Sequence, residues 1–145
     1  MDETRVRTFF ERYARFFNRS LGGDFDGAEV ESLYAPVFIA VSPAGVITGQ
    51  NDDHLKQTMI EGYARYRAIG TKEMRIRHVR VVPIDVLHCV AHVAWTGIYA
   101  RNGQPETEIP FDVHYLVQAL DDGEPKVFGW VSGDEDALLR QHGIA

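Results

Sequence analysis

A chain of 145 residues with 45% hydrophobic and 25% charged side chains has the make-up of one folded globular domain, residues 1–145, and this excludes disorder. A formal net charge of -6 with no basic run argues against nucleic acid or an anionic membrane as partner. Cys89 is the only cysteine, which excludes an internal disulfide and a cysteine-rich metal cage.

The opening MDETRVRTFF is charged and lacks the apolar core of a secretion signal, and no apolar run approaches the ~20 residues of a bilayer span, so a cytoplasmic protein is expected. From about Thr4 to Arg19, Val6, Phe9, Phe10, Tyr13, Phe16 and Phe17 recur three or four apart and predict a helix with one aromatic stripe. Gly22 and Gly23 stop it. Asp26 followed by Glu29 resembles a capping box and opens a short helix through Val30, Leu33 and Tyr34. Pro36 ends that helix, Val37 to Val41 reads as a strand, and Ser42-Pro43-Ala44-Gly45 turns into a short return at Val46 to Thr48. A third helix begins near Asn51, buries Leu55, Met59, Tyr63 and Tyr66, and stops at Gly70.

From Met74 to Ser132 alternating segments follow one another through short turns, the pattern of an antiparallel meander. Asn102-Gly103 and Asp121-Asp122-Gly123-Glu124 mark two of its turns. The first aligns Trp95 with Phe111, Val93 with Val113 and Ala91 with Tyr115. The second aligns Tyr115 with Trp130 and Val117 with Phe128. One face then collects Cys89, Ala91, Val93, Trp95, Phe111, Val113, Tyr115, Val117, Phe128 and Trp130, and the other collects His88, His92, Asp112 and His114. The strand from Met74 to Val82 is blurred by Arg75, Arg77, His78 and Arg80. Acidic Asp134 to Asp136, apolar Ala137 to Leu139 and Gly143 predict a short closing helix.

Helix, helix, strand, helix and a four-strand meander is an order that resembles the nuclear transport factor 2-like superfamily. The residues that carry the resemblance are Arg12-Tyr13, the run from Gly23 to Gly27, Leu33-Tyr34-Ala35, Asn102-Gly103-Gln104-Pro105 and Phe111-Asp112-Val113. It implies an α+β fold in which a cone-shaped, curved antiparallel sheet wraps over three N-terminal helices, with a short C-terminal helix. Within that superfamily the ketosteroid isomerase comparison is partly negative. It places Tyr13 as the tyrosine that donates to a developing oxyanion and Tyr115 as the second donor, but Ser42 stands where the carboxylate base would be. A serine hydroxyl is a poor general base because its pKa lies far above working pH.

Tyr13, Trp95, Tyr115 and Trp130 together read either as a pocket with hydroxyl and indole donors in apolar walls or as a filled aromatic core. His78 faces inward beside Ala91 if its strand pairs Ile76 with Val93, where it could move a proton; the other register turns it out. On the opposite face His92, His114 and a diagonal Asp112 have metal-ligand residue types, but His88 lies about 13 Å from His92, too far to share an ion. That face reads more simply as a half-polar outer surface or as a dimer interface with Val79, Val81, Val90 and Leu116 among its histidines. Asp52 and Asp53 suit the start of a helix, and Cys89 alternates inward as a small core residue.

The expected function is binding of a small, mostly apolar molecule. If the chain is an enzyme, the chemistry is cofactor-free proton transfer of the isomerase, dehydratase or cyclase type. Tyr13, Tyr115 and His78 would carry that chemistry, with walls from Phe17, Phe38, Trp95, Phe111 and Trp130. No cofactor and no metal are implied, and two copies are expected to pair through the sheet. The alternative is a non-catalytic dimerisation or association module.

Overall fold

The computed structural model describes every residue except Asn102, Asp122 and Ala145. Its first helix, α1 (Glu3–Leu21), starts where the Asp2 carboxylate accepts from the Thr4 amide at 2.8 Å. α2 (Gly27–Leu33) is capped by Asp26, and α3 (Asp53–Ala68) by Asp52, whose carboxylate accepts from the Leu55 amide. α4 (Glu135–Gln141) is capped by Asp134. The aromatic stripe of α1 is buried as its spacing requires: Val6, Phe9, Phe10 and Phe16 lie in the core with Val30 and Leu33 of α2. Gly70 after α3 has φ +88, and a Cβ there would stand 2.7 Å from the Ala100 carbonyl oxygen, so the turn requires glycine. Among the described residues no helix is long and apolar enough to cross a membrane.

Six strands form one sheet in the order β2-β1-β6-β5-β4-β3: β1 (Tyr34–Ser42), β2 (Gly45–Gln50), β3 (Thr71–Pro83), β4 (His88–Tyr99), β5 (Thr107–Gln118) and β6 (Lys126–Ser132). β3 to β6 are an antiparallel meander, whereas β1 runs parallel to β6, so the α+β cone is built on a mixed sheet rather than a purely antiparallel one. β1 also starts at Tyr34, earlier than expected. Pro36 lies inside it, in the stretch where pairing with β6 breaks between Tyr34 and Ile39. α1 lies across the concave face, and Asn18 fastens it to the sheet. Its side-chain amide donates to the Met74 carbonyl oxygen at 2.9 Å and accepts from the Met74 amide at 2.9 Å, standing in for a strand partner. The two tight turns expected at Asn102 and Asp122 include residues outside those described, although Gly103 has φ +76.

Trp95 pairs with Phe111, Ala91 with Tyr115, His92 with His114 and Tyr115 with Trp130, as the turns predict. Two bulges correct the remainder. In β3 the ladder slips between Ile76 and His78, so Ile76 meets Trp95, not Val93, and His78 meets Ala94. The extra residue inverts the alternation: Met74 points in before it, Val79 and Val81 after it. Val79 and Val81 are therefore core residues, not part of the outer face. In β6 the slip between Leu116 and Val117 pairs Val117 with Val127, which is buried, and Phe128 turns out against His88.

Candidate functional site

Between α1, the concave sheet and α4 lies a cavity of about 540 Å³. α1 supplies Tyr13 and Phe17, α3 supplies Tyr66, and β3 supplies Met74. β4 and β5 contribute Trp95, Tyr99, Ile109, Phe111, Val113 and Tyr115, and β6 contributes Trp130. α4 and the turn before it close one side with Asp134, Glu135, Leu138 and Leu139. Six of the candidate residues therefore meet around one space: Tyr13, Tyr115, Phe17, Trp95, Phe111 and Trp130.

At the inner end the polar atoms of these aromatics form two hydrogen-bonded pairs. The Trp95 indole N–H donates to the Tyr115 hydroxyl at 3.2 Å, and the Tyr13 hydroxyl lies 2.7 Å from that of Tyr34. Four N–H and O–H protons serve these two contacts, because each phenol carries one proton. The Tyr115 proton and one proton of the Tyr13–Tyr34 pair are left without an acceptor inside the pairs, and Tyr13 and Tyr115 line the cavity. Burial raises the pKa of Tyr13, Tyr34 and Tyr115; at Tyr13 the hydrogen bond with Tyr34 opposes part of that rise. All three stay neutral at ordinary pH and act as donors, not as bases.

Two candidate residues are placed elsewhere. His78 is exposed on the outer side of the sheet, because the bulge at Arg77 inverts the alternation; of its two registers the outward one holds, and the inward one that its proton-moving role requires does not. Phe38 is buried behind the lining: its ring stacks on Trp130 at 5.2 Å and 23°, supporting the wall from outside the cavity. Ser42 ends β1 at the turn, where its hydroxyl accepts from the Ala44 amide at 3.2 Å, and it does not line the cavity. On the outer face the Nδ1 atoms of His92 and His114 touch. Asp112 beside them faces Arg77 at 3.6 Å. No group of three or more His, Cys, Asp or Glu that could hold a metal ion occurs among the described residues.

Sequence reasoning missed Tyr34, Tyr66 and Glu135. Tyr34 was assigned to the buried face of a short helix, although a β-former directly before Ala35-Pro36 signals an extended start. Glu135 was accounted for by helix capping, yet its carboxylate accepts from the Tyr66 hydroxyl at 2.6 Å and joins α4 to α3 at the cavity mouth.

The cone-shaped sheet, the helices on its concave side and the enclosed cavity define a nuclear transport factor 2-like protein. The family model described as "NTF2-like protein (DUF6841)" matches residues 2–135, and the chain belongs to that family. Solved structures share the fold at low identity. An NTF2-like protein with a cystatin-like fold from Novosphingobium aromaticivorans superposes with TM-score 0.66 at 11% identity, over 95% of this chain and 88% of that one. An NTF-2 like protein of unknown function from Shewanella oneidensis gives 0.63 at 13%, over 92% and 100%. A ketosteroid isomerase-like protein from Erwinia carotovora atroseptica gives 0.60 at 14%, over 92% and 97%. The chain matches no curated protein in sequence.

Proposed function

We propose that this chain is a single binding domain that takes a small, mostly apolar molecule into the cone cavity and grips one oxygen of it with Tyr13 and Tyr115. The observation that carries this reading is the surplus of hydroxyl protons in the Trp95–Tyr115 and Tyr13–Tyr34 pairs: a ligand carbonyl or hydroxyl oxygen is the acceptor they lack. Aromatic and aliphatic walls account for the apolar remainder of the ligand. Neutral phenols aimed at a carbonyl oxygen polarise it, which is what an isomerase, dehydratase or cyclase requires of its electrophilic side. With His78 outside and serine at position 42, no proton acceptor accompanies the phenols at the inner end among the described residues. Binding with carbonyl polarisation is therefore the reading with most support, and the likeness to a ketosteroid isomerase-like protein adds only the fold.

The test compares 1-tetralone with tetralin, the same skeleton without the oxygen. The wild-type preference for the ketone should fall by about tenfold in Tyr13→Phe/Tyr115→Phe, the contribution of one good hydrogen bond. A preference that survives the double substitution, or no binding of either compound, defeats the proposal. A second reading, pairing of two copies through the outer sheet face, draws on Val131, 44% exposed beside His114 and near Leu116. Val79 and Val81 lie in the core and add nothing to that face, and sedimentation tests the pairing: a monomer at all concentrations rules it out.

A further inference from the structure

The charges around the cavity bear on its far end. Asp112, Asp134 and Glu135 are its charged lining residues, and no lysine, arginine or histidine lines it among the described residues. Asp112 alternates to the outer side, where it faces Arg77 at 3.6 Å. Asp134 and Glu135 sit at the mouth without a basic partner among the ion pairs of the described residues. The N-terminus of α4, which would otherwise draw an anion, is already occupied by the Asp134 carboxylate bonded to the Ala137 amide at 2.9 Å. Glu135 is bonded to the Tyr66 hydroxyl, and Phe17, Tyr66 and Tyr99 add aromatic rings at the same end, Phe17 and Tyr66 with centroids 5.5 Å apart. Burial first and the Glu135 charge second push the Tyr66 and Tyr99 phenols up, Tyr99 to about 12. Burial disfavours either charge there, but the Glu135 carboxylate disfavours a carboxylate or phosphate ligand and favours an ammonium group.

From this we infer that the cavity is specific for organic cations: its ligand carries a protonated amine opposite the oxygen held by the phenols, and the amine rests between Glu135 and the mouth aromatics. This inference rests on the proposed binding of an apolar, oxygen-bearing molecule, and it adds the charge of that molecule's other end.

Three probes test it: 1-tetralone, and 1-tetralone bearing either an aminomethyl or a carboxylate group at ring carbon 6. In wild type the amine should bind about tenfold or more tighter than the carboxylate. In Glu135→Gln, which keeps an oxygen for Tyr66, that ratio should shrink to within about threefold, with neutral 1-tetralone unaffected. Tyr66→Phe keeps the carboxylate and should keep the preference, which separates charge from the hydrogen bond. Neutral 1-tetralone binding without a preference for the amine, or a preference unchanged in Glu135→Gln, overturns this inference and leaves the proposed function standing. Failure of all three probes to bind overturns both.

Discussion

The hydroxyl of Tyr13, on α1, lies 2.7 Å from the hydroxyl of Tyr34, the first residue of β1, and this contact ties a cavity-lining phenol to one outside the cavity. Tyr34→Phe removes one proton and one contact together, so the free protons that remain are those of Tyr13 and Tyr115. The ring still meets Trp130 edge-on at 5.9 Å. Stability should fall by about 1 kcal/mol for the lost buried hydrogen bond, while the ketone-over-hydrocarbon ratio stays within about threefold of wild type. Denaturant unfolding and ligand titration on the same variant check both halves. A tenfold drop in the ratio would mean that Tyr34, not the cavity pair, sets the donor.

Phe38 is the residue whose role moved from lining to support, and its neighbour Gly49 exposes how tightly it is held. A Cβ built on Gly49 would meet the Phe38 ring at 2.4 Å, and that ring is buried against Trp130. Gly49→Ala should therefore cost about 1–3 kcal/mol by overpacking and weaken 1-tetralone binding through displacement of Trp130. Thermal unfolding and the same titration measure it. Unchanged stability would show that Phe38 rotates away freely.

The meander register was legible because its inward aromatics leave little choice: a one-residue slip from Trp95 opposite Phe111 would expose Tyr115 and bury His114. The starts of α2, α3 and α4 were legible because Asp26, Asp52 and Asp134 each bond the amides that a helix leaves open. The two bulges were not legible. A bulge at Arg77 or Phe128 shifts parity without any glycine or proline at that position to mark it, so Val79, Val81 and Phe128 read on the wrong faces and the orientation of His78 stays open in the sequence. The cavity mouth was illegible for another reason. Tyr66 and Glu135 are 69 residues apart, and only the packing of α4 against α3 brings them together.

Cys89 supplies a check on the rigidity of the sheet. Its side chain is fully buried in the core and burial pushes its thiol up to about 11, so almost no thiolate is present near neutrality. A disulfide reagent at mildly alkaline pH should leave the native protein unmodified and react promptly once urea unfolds it. Reaction of the native protein on the scale of minutes would mean that β4 opens locally far more often than its burial allows.

The outer face sets a pH response separate from the cavity. His92 touches His114, lies opposite Arg80 across β3, and has Asp112 nearby. Its pKa is lowered by desolvation first, then by Arg80 and His114, with Asp112 opposing. The folded state therefore holds His92 neutral to lower pH than the unfolded chain does. As pH falls through the ordinary histidine value the unfolded chain takes up the proton first, stability drops, and the drop ends below the lowered folded value. Because the ring is largely solvated, the contribution should stay below about 1 kcal/mol. The lowered carboxyl pKa values of Asp85 and Glu31 act in the carboxylate range, below this window. The melting temperature should thus decline between about pH 7.5 and 5, less steeply in His92→Gln than in wild type. Equal slopes for the two proteins would remove His92 as the origin of the decline.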